Sequence, residues 1–302
     1  MVAAGGNIEL LHILRNQELI NSPETGETVL HIACFFGRFE MSKMLLDIFP
    51  ELLATKDFNG TGVLHFAALG GNIEMLEFLL EKGLNIYERA NNGKTVLHFC
   101  CSNGKTDMSK YLVNKYPYLL RIEDNDGQNA LHRAACSGNV ALVMFLLEKD
   151  LDIKRTTNNR KTVLHLCCLK GKIDMCKYLV NAYPFLLDIT DYNGGNALHH
   201  AACSGNVALV KFLLEKDLDI KSTKYNGQTV LHLSCLNNKM DMCKYLVNTY
   251  PFLLDVTDYY GQNALHVAAW NGNIEILKFL LDKDLDINST RNDKRLYYIC
   301  VV

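Results

Sequence analysis

Proline is scarce in this chain, with five in 302 residues, and tryptophan occurs once. Neither charge sign is in excess, since 31 Lys and Arg face 33 Asp and Glu for a net charge of -2. That balance gives no electrostatic case for nucleic acid or an acidic membrane surface as partner. Long hydrophobic runs are missing. Clusters such as residues 142–147 fall far short of the roughly 20 apolar residues a membrane helix needs. The first eleven residues hold Glu9 and no basic segment, so no secretion signal reads there. Eleven cysteines without such a signal point to a reducing, intracellular setting, and the odd count argues against a full disulfide framework. Asn59-Gly60-Thr61 and Asn288-Ser289-Thr290 match glycosylation acceptors, but without secretion they read as coincidence. With 49% hydrophobic and 21% charged residues, a disordered or collagen-like chain is excluded.

What is present is a period. Four of the five prolines stand at Pro50, Pro117, Pro184 and Pro251, each 67 residues after the last. A Leu-His pair recurs at Leu30-His31, Leu64-His65, Leu97-His98, Leu131-His132, Leu164-His165, Leu198-His199, Leu231-His232 and Leu265-His266, at spacings alternating between 34 and 33. A long and a short unit therefore alternate, and together they make the 67. Residues 129–195 and 196–262 are identical at 52 of 67 positions, which reads as a recent duplication. Such an array grows in one dimension without splitting into separate cores.

Each unit reads as two short helices and a turn. The first helix opens at a Thr or Asn, as in Thr95-Val96-Leu97-His98 and Asn129-Ala130-Leu131-His132, side chains that accept a backbone N–H at a helix start. Seven residues after the anchor leucine a glycine closes it, at Gly37, Gly71, Gly104, Gly138, Gly171, Gly205 and Gly272, with Asn238 in the remaining unit. The second helix carries a stripe such as Val140, Val143, Leu146 and Leu147. In long units the proline stops it, because the preceding residue (Phe49, Tyr116, Tyr183 or Tyr250) is pushed out of the helical region. In short units it stops at Gly83, Asp150, Asp217 or Asp284. Polar turns follow, such as Asn91-Asn92-Gly93, Tyr192-Asn193-Gly194 and Tyr225-Asn226-Gly227, and Asn-Gly is a strong hairpin signal.

This pattern resembles the ankyrin repeat, whose unit is about 33 residues with the signature T-P-L-H-x-A-A and then a glycine. Eight units match: 23–56, 57–89, 90–123, 124–156, 157–190, 191–223, 224–257 and 258–290. Asn-Ala-Leu-His-x-Ala-Ala at 129–135, 196–202 and 263–269 is the closest fit, and Asp57, Asp124, Asp191 and Asp258 fall where the family often opens a unit. Val or Ala replaces the motif proline, long units carry Cys for the second motif alanine, and the Leu-Leu after each proline expands the usual ending. The resemblance implies an all-α ankyrin-repeat solenoid of stacked helix-turn-helix units with short hairpin turns. It implies a structural role for the anchor histidines near the helix starts. It also implies a protein partner held on a concave face built from turns and first helices.

No metal, cofactor or catalytic site is expected. Stacked helices lie roughly 8–10 Å apart and metal–nitrogen bonds are about 2 Å long, so anchor histidines of successive units cannot share an ion. Cys34, Cys101, Cys168 and Cys235 alternate with Ala68, Ala135, Ala202 and Ala269 and so read as small buried residues. The adjacent pairs Cys100-Cys101 and Cys167-Cys168 lack zinc-ligand spacing. Gly93-Lys94-Thr95 and Gly104-Lys105-Thr106 have Glu88 and Phe99 where a phosphate loop needs its first glycine. Every recurring polar residue has a structural reading, whereas catalysis needs unique residues converging in a pocket.

Variation between units marks the candidate partner surface. Two and five residues after the anchor leucine stand Phe35, Leu69, Arg133, Leu169, His200, Leu236 and Trp270, with Arg133 and His200 read as open positions. The turn tips add Tyr192, Tyr225, Tyr259 and Tyr260. Trp, Tyr and Arg are frequent interface anchors. The expected function is a cytoplasmic scaffold or adaptor that binds an unidentified protein without catalysis of its own. The alternatives are the cytosolic array of a larger membrane protein such as a cation channel, or the targeting module of an enzyme. Residues 1–22 and 291–302 read as partial units with apolar faces at Ile8, Leu11, Leu14 and residues 297–302, implying a fragment of a longer protein or frayed ends.

Overall fold

The computed structural model describes Ser22, residues 24–283 and Leu285. The chain divides into two compact units between Asp152 and Ile153. The described residues form sixteen α-helices, with one isolated bridge between Lys56 and Gly62. The first unit holds α1 (Val29–Phe35), α2 (Phe39–Ile48), α3 (Val63–Gly70), α4 (Ile73–Glu81), α5 (Val96–Ser102), α6 (Thr106–Lys115), α7 (Ala130–Ser137) and α8 (Val140–Leu147). The second holds α9 (Val163–Leu169), α10 (Ile173–Ala182), α11 (Ala197–Ser204), α12 (Val207–Leu214), α13 (Val230–Leu236), α14 (Met240–Thr249), α15 (Ala264–Trp270) and α16 (Ile274–Leu281). Within each unit every first helix packs on the first helix of the next repeat and on its own second helix. This is an all-α repeat fold of the solenoid class. None of these helices is long and apolar enough to cross a membrane.

The first helices start at the expected caps. Asn129 Oδ1 accepts the N–H of His132 at 3.2 Å, while His132 Nδ1 accepts the N–H of Asn129 at 3.3 Å. Two of the N–H groups left without partners at a helix start are thereby satisfied reciprocally, with His where the usual capping box has Glu or Gln. Gly62 has no side chain to offer, yet its N–H still reaches His65 Nδ1 at 3.2 Å. The second helices of three short repeats are capped as well: Asn139, Asn206 and Asn273 accept the N–H of Leu142, Leu209 and Ile276 at 2.9–3.0 Å. The first helix's closing residue is left-handed at Gly71 (φ 86°) and at Asn238 (φ 56°), as expected from its position.

The prolines do more than stop a helix. Tyr183 leaves the helical region at φ -138°, and the chain then makes a further 3₁₀ turn over Pro184–Asp188. Pro50–Ala54, Pro117–Arg121 and Pro251–Leu254 repeat it. Each turn drives one leucine (Leu52, Leu119, Leu186, Leu253) into the core. In short units Gly83, Asp150 and Asp217 turn the chain with positive φ. Asp284, Asn288 and the partial end units apart from Ser22 lie outside the described residues.

The core is a column of anchor leucines, Leu30, Leu64, Leu97 and Leu131 in the first unit and Leu164, Leu198, Leu231 and Leu265 in the second. Ala67-Ala68, Ala134-Ala135 and Ala201-Ala202 are fully buried; their small side chains let neighbouring helices approach closely.

Candidate partner-binding surface

Four of the turns are braced from inside by an aspartate. Asp191 Oδ1 accepts the N–H of Asn193 at 2.9 Å and of Gly195 at 2.8 Å, and Asp57, Asp124 and Asp258 make the same two bonds in their turns. Neighbouring turns are tied main chain to main chain. In the second unit the N–H groups of Tyr192, Tyr225 and Tyr259 donate to the carbonyls of Asn159, Asn193 and Asn226 at 2.9–3.0 Å. In the first, Phe58, Asn91 and Asn125 do the same.

These ties set the tip side chains over the glycine of the preceding turn. A Cβ on Gly194 would come within 2.6 Å of the Tyr225 ring, and one on Gly227 within 2.9 Å of the Tyr259 ring. The rings remain largely open, with Tyr225 63%, Tyr259 71% and Tyr260 59% exposed, and Tyr192 is exposed too. Between the turns lies a groove of about 420 Å³ lined by Asn193, Lys224, Tyr225, Asn226, Tyr259 and Tyr260.

The first-helix candidates divide in two. At Arg133 and His200 the position two after the anchor leucine is not open, which corrects the expectation for both, although Ile32 at that position in the first repeat is exposed. Arg133 forms a largely buried ion pair with Asp124, and His200 Nε2 lies 2.9 Å from Asp191 Oδ2. Both therefore brace the turn of their own repeat. Burial pushes the Asp124 and Asp191 carboxyls up, but Arg133 and His200 more than offset it and hold both below the usual carboxylate range. The same position elsewhere packs against the preceding anchor histidine: Phe66 meets His31 edge-on at 4.8 Å, and Phe99 meets His65 at 5.2 Å. The position five after the leucine does face outward. Phe35, Leu69 and Leu169 are half-buried, Leu236 is exposed, and Trp270 is 67% exposed.

Other exposed apolar residues escaped the sequence reading. Phe58 is a turn tip in register with Tyr192, Tyr225 and Tyr259, a match visible in the repeat alignment. Phe36 and Ile274 are also exposed; nothing in the spacing marks them.

The anchor histidines act as expected at the helix starts, and they also join repeats. With Nδ1 accepting the cap's N–H, the ring proton sits on Nε2. From there His98 and His232 donate to the carbonyls of Gln128 and Gln262 in the next repeat at 3.0 and 2.9 Å, and His65 donates to that of Glu88 at the end of its own repeat at 3.1 Å. Burial lowers the affinity of these rings for a second proton, to about 4 for His98.

Among the described residues, one group of three side chains is placed to share a metal ion: Cys167, Cys168 and Cys176. The adjacent pair was legible as a pair; Cys176, across the next turn, was not connected to it.

Comparison with known proteins fits this geometry. A family model described as ankyrin repeats (3 copies) matches residues 1–90, 64–157, 151–224 and 215–291. Human transient receptor potential cation channel subfamily A member 1 is 28% identical over 229 residues, 74% of this chain and 20% of that protein. Human ankyrin repeat domain-containing protein 53 is 33% identical over 112 residues, 36% of this chain and 21% of the relative. The chicken nuclear factor NF-kappa-B p105 subunit is 25% identical over 201 residues, 64% and 20%. The chain thus spans about a fifth of the length of these relatives. The capped Leu-His helices, the braced turns and the matches across residues 1–291 together make this chain a member of the ankyrin-repeat family.

Proposed function

We propose that this chain is a protein-binding scaffold or adaptor whose partner lies across the turn tips and first-helix ends, the face that forms the concave surface in the family. Ankyrin repeats as a class mediate protein–protein interaction and are typically non-enzymatic. The observation that carries the reading is the groove between Tyr225, Tyr259 and Tyr260 in the second unit. Three exposed rings there stand on rigid, hydrogen-bonded turns. Tyrosine offers large amphipathic contact area at low entropic cost, and a fixed turn lowers that cost further. Trp270 and Leu236 extend the reading to the first-helix ends, and Tyr192 and Phe58 to further tips. Phe35, Leu69 and Leu169 contribute rims of half-buried apolar surface. Arg133 and His200 take part only by holding their turns.

The eight units 23–290 are taken as the binding array. A cytoplasmic setting is supported by ten described cysteines that are all free thiols. The test is capture of interacting proteins by the wild-type chain and by the double variant Tyr225→Ala, Tyr259→Ala, with circular dichroism as control. The variant should lose at least tenfold in capture while keeping its helical signal. Undiminished capture would move the partner to another face.

A second reading is favoured by the share of the relatives that is matched. The repeats would then be the array of a longer protein, membrane-anchored or enzymatic, and the array would serve it as a docking region. Transcript sequence extending past either end would decide between the two.

A further inference from the structure

Three cysteines of one repeat converge on a single point. Cys167 and Cys168 lie near the end of α9, and Cys176 lies in the first part of α10. The tight turn between the helices, with Gly171 at φ 63°, folds α10 back onto α9. It leaves Cys176 Sγ 2.9 Å from Cys167 Sγ and 3.6 Å from Cys168 Sγ. All three sulfur atoms lie within 4.8 Å of one another, and all three side chains are fully buried.

The repeat itself supplies the control. The three positions are Ala33, Cys34 and Ser42 in one long unit, Cys100, Cys101 and Ser109 in the next, and Ser234, Cys235 and Cys243 in the last. Packing is therefore satisfied by one or two sulfur atoms. At two of the positions where oxygen replaces sulfur it finds a main-chain acceptor: Ser109 donates to the Lys105 carbonyl at 2.7 Å and Ser234 to that of Val230 at 2.8 Å. Among the four long units only residues 167, 168 and 176 unite three sulfur atoms, so their assembly is not demanded by the fold.

We propose that Cys167, Cys168 and Cys176 form a binding site for a soft monovalent cation, Cu(I). Thiolates select soft ions. A flat three-sulfur site with metal–sulfur bonds of about 2.3 Å needs sulfur atoms about 4 Å apart, and with Cys176 Sγ 2.9 and 3.6 Å from the other two, modest side-chain rotations reach that spacing. Structural zinc takes four ligands, and three-ligand zinc keeps an open position for water. Here the described residues offer three ligands and no exposure, which suits an ion content with three. Each thiol that ligates gives its proton to solvent, so affinity rises with pH. Because the site is closed, the ion enters when the α9–α10 turn opens or as the repeat folds.

The test uses the full chain, reduced and without oxygen, titrated with Cu(I) buffered by a competing chelator. Cys176→Ser and Cys167→Ser reproduce residues that sister repeats already carry there, so both variants keep the fold. Cys101→Ser and Cys243→Ser serve as controls for the other buried sulfur pairs. The wild-type chain and both controls should retain one equivalent of Cu(I) and melt at a higher temperature when loaded. Cys176→Ser and Cys167→Ser should lose at least tenfold in affinity for that equivalent, together with its thermal shift. Retention of the first equivalent by Cys176→Ser would overturn the assignment. So would a failure of the wild-type chain to hold Cu(I), or a parallel titration in which Zn(II) binds one site more tightly than Cu(I).

Discussion

His98 donates its Nε2–H to the carbonyl of Gln128, 3.0 Å away and thirty residues further along the chain. The same ring accepts the N–H of Thr95 at 3.1 Å through Nδ1. One neutral imidazole thus caps its own helix and ties it to the next repeat. A second proton would have to sit on Nδ1 and would convert that acceptor into a donor facing a donor.

Acid should therefore unfold the protein in a definite window. Burial holds His98 and His199 at about 4 when folded, and it lowers His31, His65 and His232 as well. In the unfolded chain each titrates near 6.5. Between the two values the unfolded chain binds a proton that the folded chain refuses, so stability is full above about pH 6.5 and falls as pH drops towards 4. His98 alone accounts for roughly 3 kcal/mol by pH 4, at about 1.4 kcal/mol per pKa unit. Urea unfolding at a series of pH values between 7 and 4.5 should show a steepening loss of stability. A flat profile would mean that the rings titrate in the folded protein as they do in the unfolded chain.

Arg133→Ala should cost about 3 kcal/mol, because it leaves Asp124 buried without its cation. Arg133→His should be tolerated within about 1 kcal/mol, because the duplicated repeat already pairs His200 with Asp191 in the same geometry. Chemical denaturation of the two variants measures both. Reversing the charge with Arg133→Glu would set two carboxylates together inside the turn. Any loss of partner capture in that variant would thus report on the turn and not on a contact made by residue 133.

These pairs show where the sequence was legible and where it was not. Helix starts, left-handed closings and the prolines are local, so Thr95, Gly71 and Pro184 announced themselves by residue type and spacing. Whether Arg133 points in or out depends on Asp124 nine residues earlier, which the helix periodicity does not register. The signal was nevertheless present, because Asp191 stands nine before His200, whereas Asp57 and Asp258 precede the apolar Phe66 and Val267. Cys176 was hidden for a related reason. Its neighbours across the turn are eight and nine residues away, a distance fixed by the hairpin of two helices rather than by either helix.

Gly194→Ala should destabilise by about 1–3 kcal/mol, the range for a non-glycine residue held in a sparsely populated backbone region. Two causes combine. The backbone has φ 76°, and the added methyl would press on the Tyr225 ring at 2.6 Å. If the tip is the partner surface, this variant should also lose binding, because the ring must shift. Tyr225→Ala removes the same ring without touching the backbone and should leave the melting temperature nearly unchanged. Thermal melts and capture measured on both variants separate the ring's role in binding from the glycine's role in folding.

The 3₁₀ turns after the prolines give the sharpest contrast between adjacent residues. Leu119 is fully buried, and Tyr118 beside it is 59% exposed, meeting Tyr87 edge-on at 5.8 Å. If Pro117 only ended α6, both side chains would sit on the surface and both alanine substitutions would be mild. The turn instead directs Leu119 under its own repeat, where removing it opens a cavity that surrounding helices cannot close without moving. Leu119→Ala should therefore cost about 2–5 kcal/mol, the range for emptying a packed core site. Tyr118→Ala should cost less than about 1.5 kcal/mol, the upper value for an aromatic pair. Equal losses in urea denaturation would mean that the turn is an exposed cap. The expected disparity would make each proline the start of a core element, so Leu52, Leu186 and Leu253 should respond as Leu119 does.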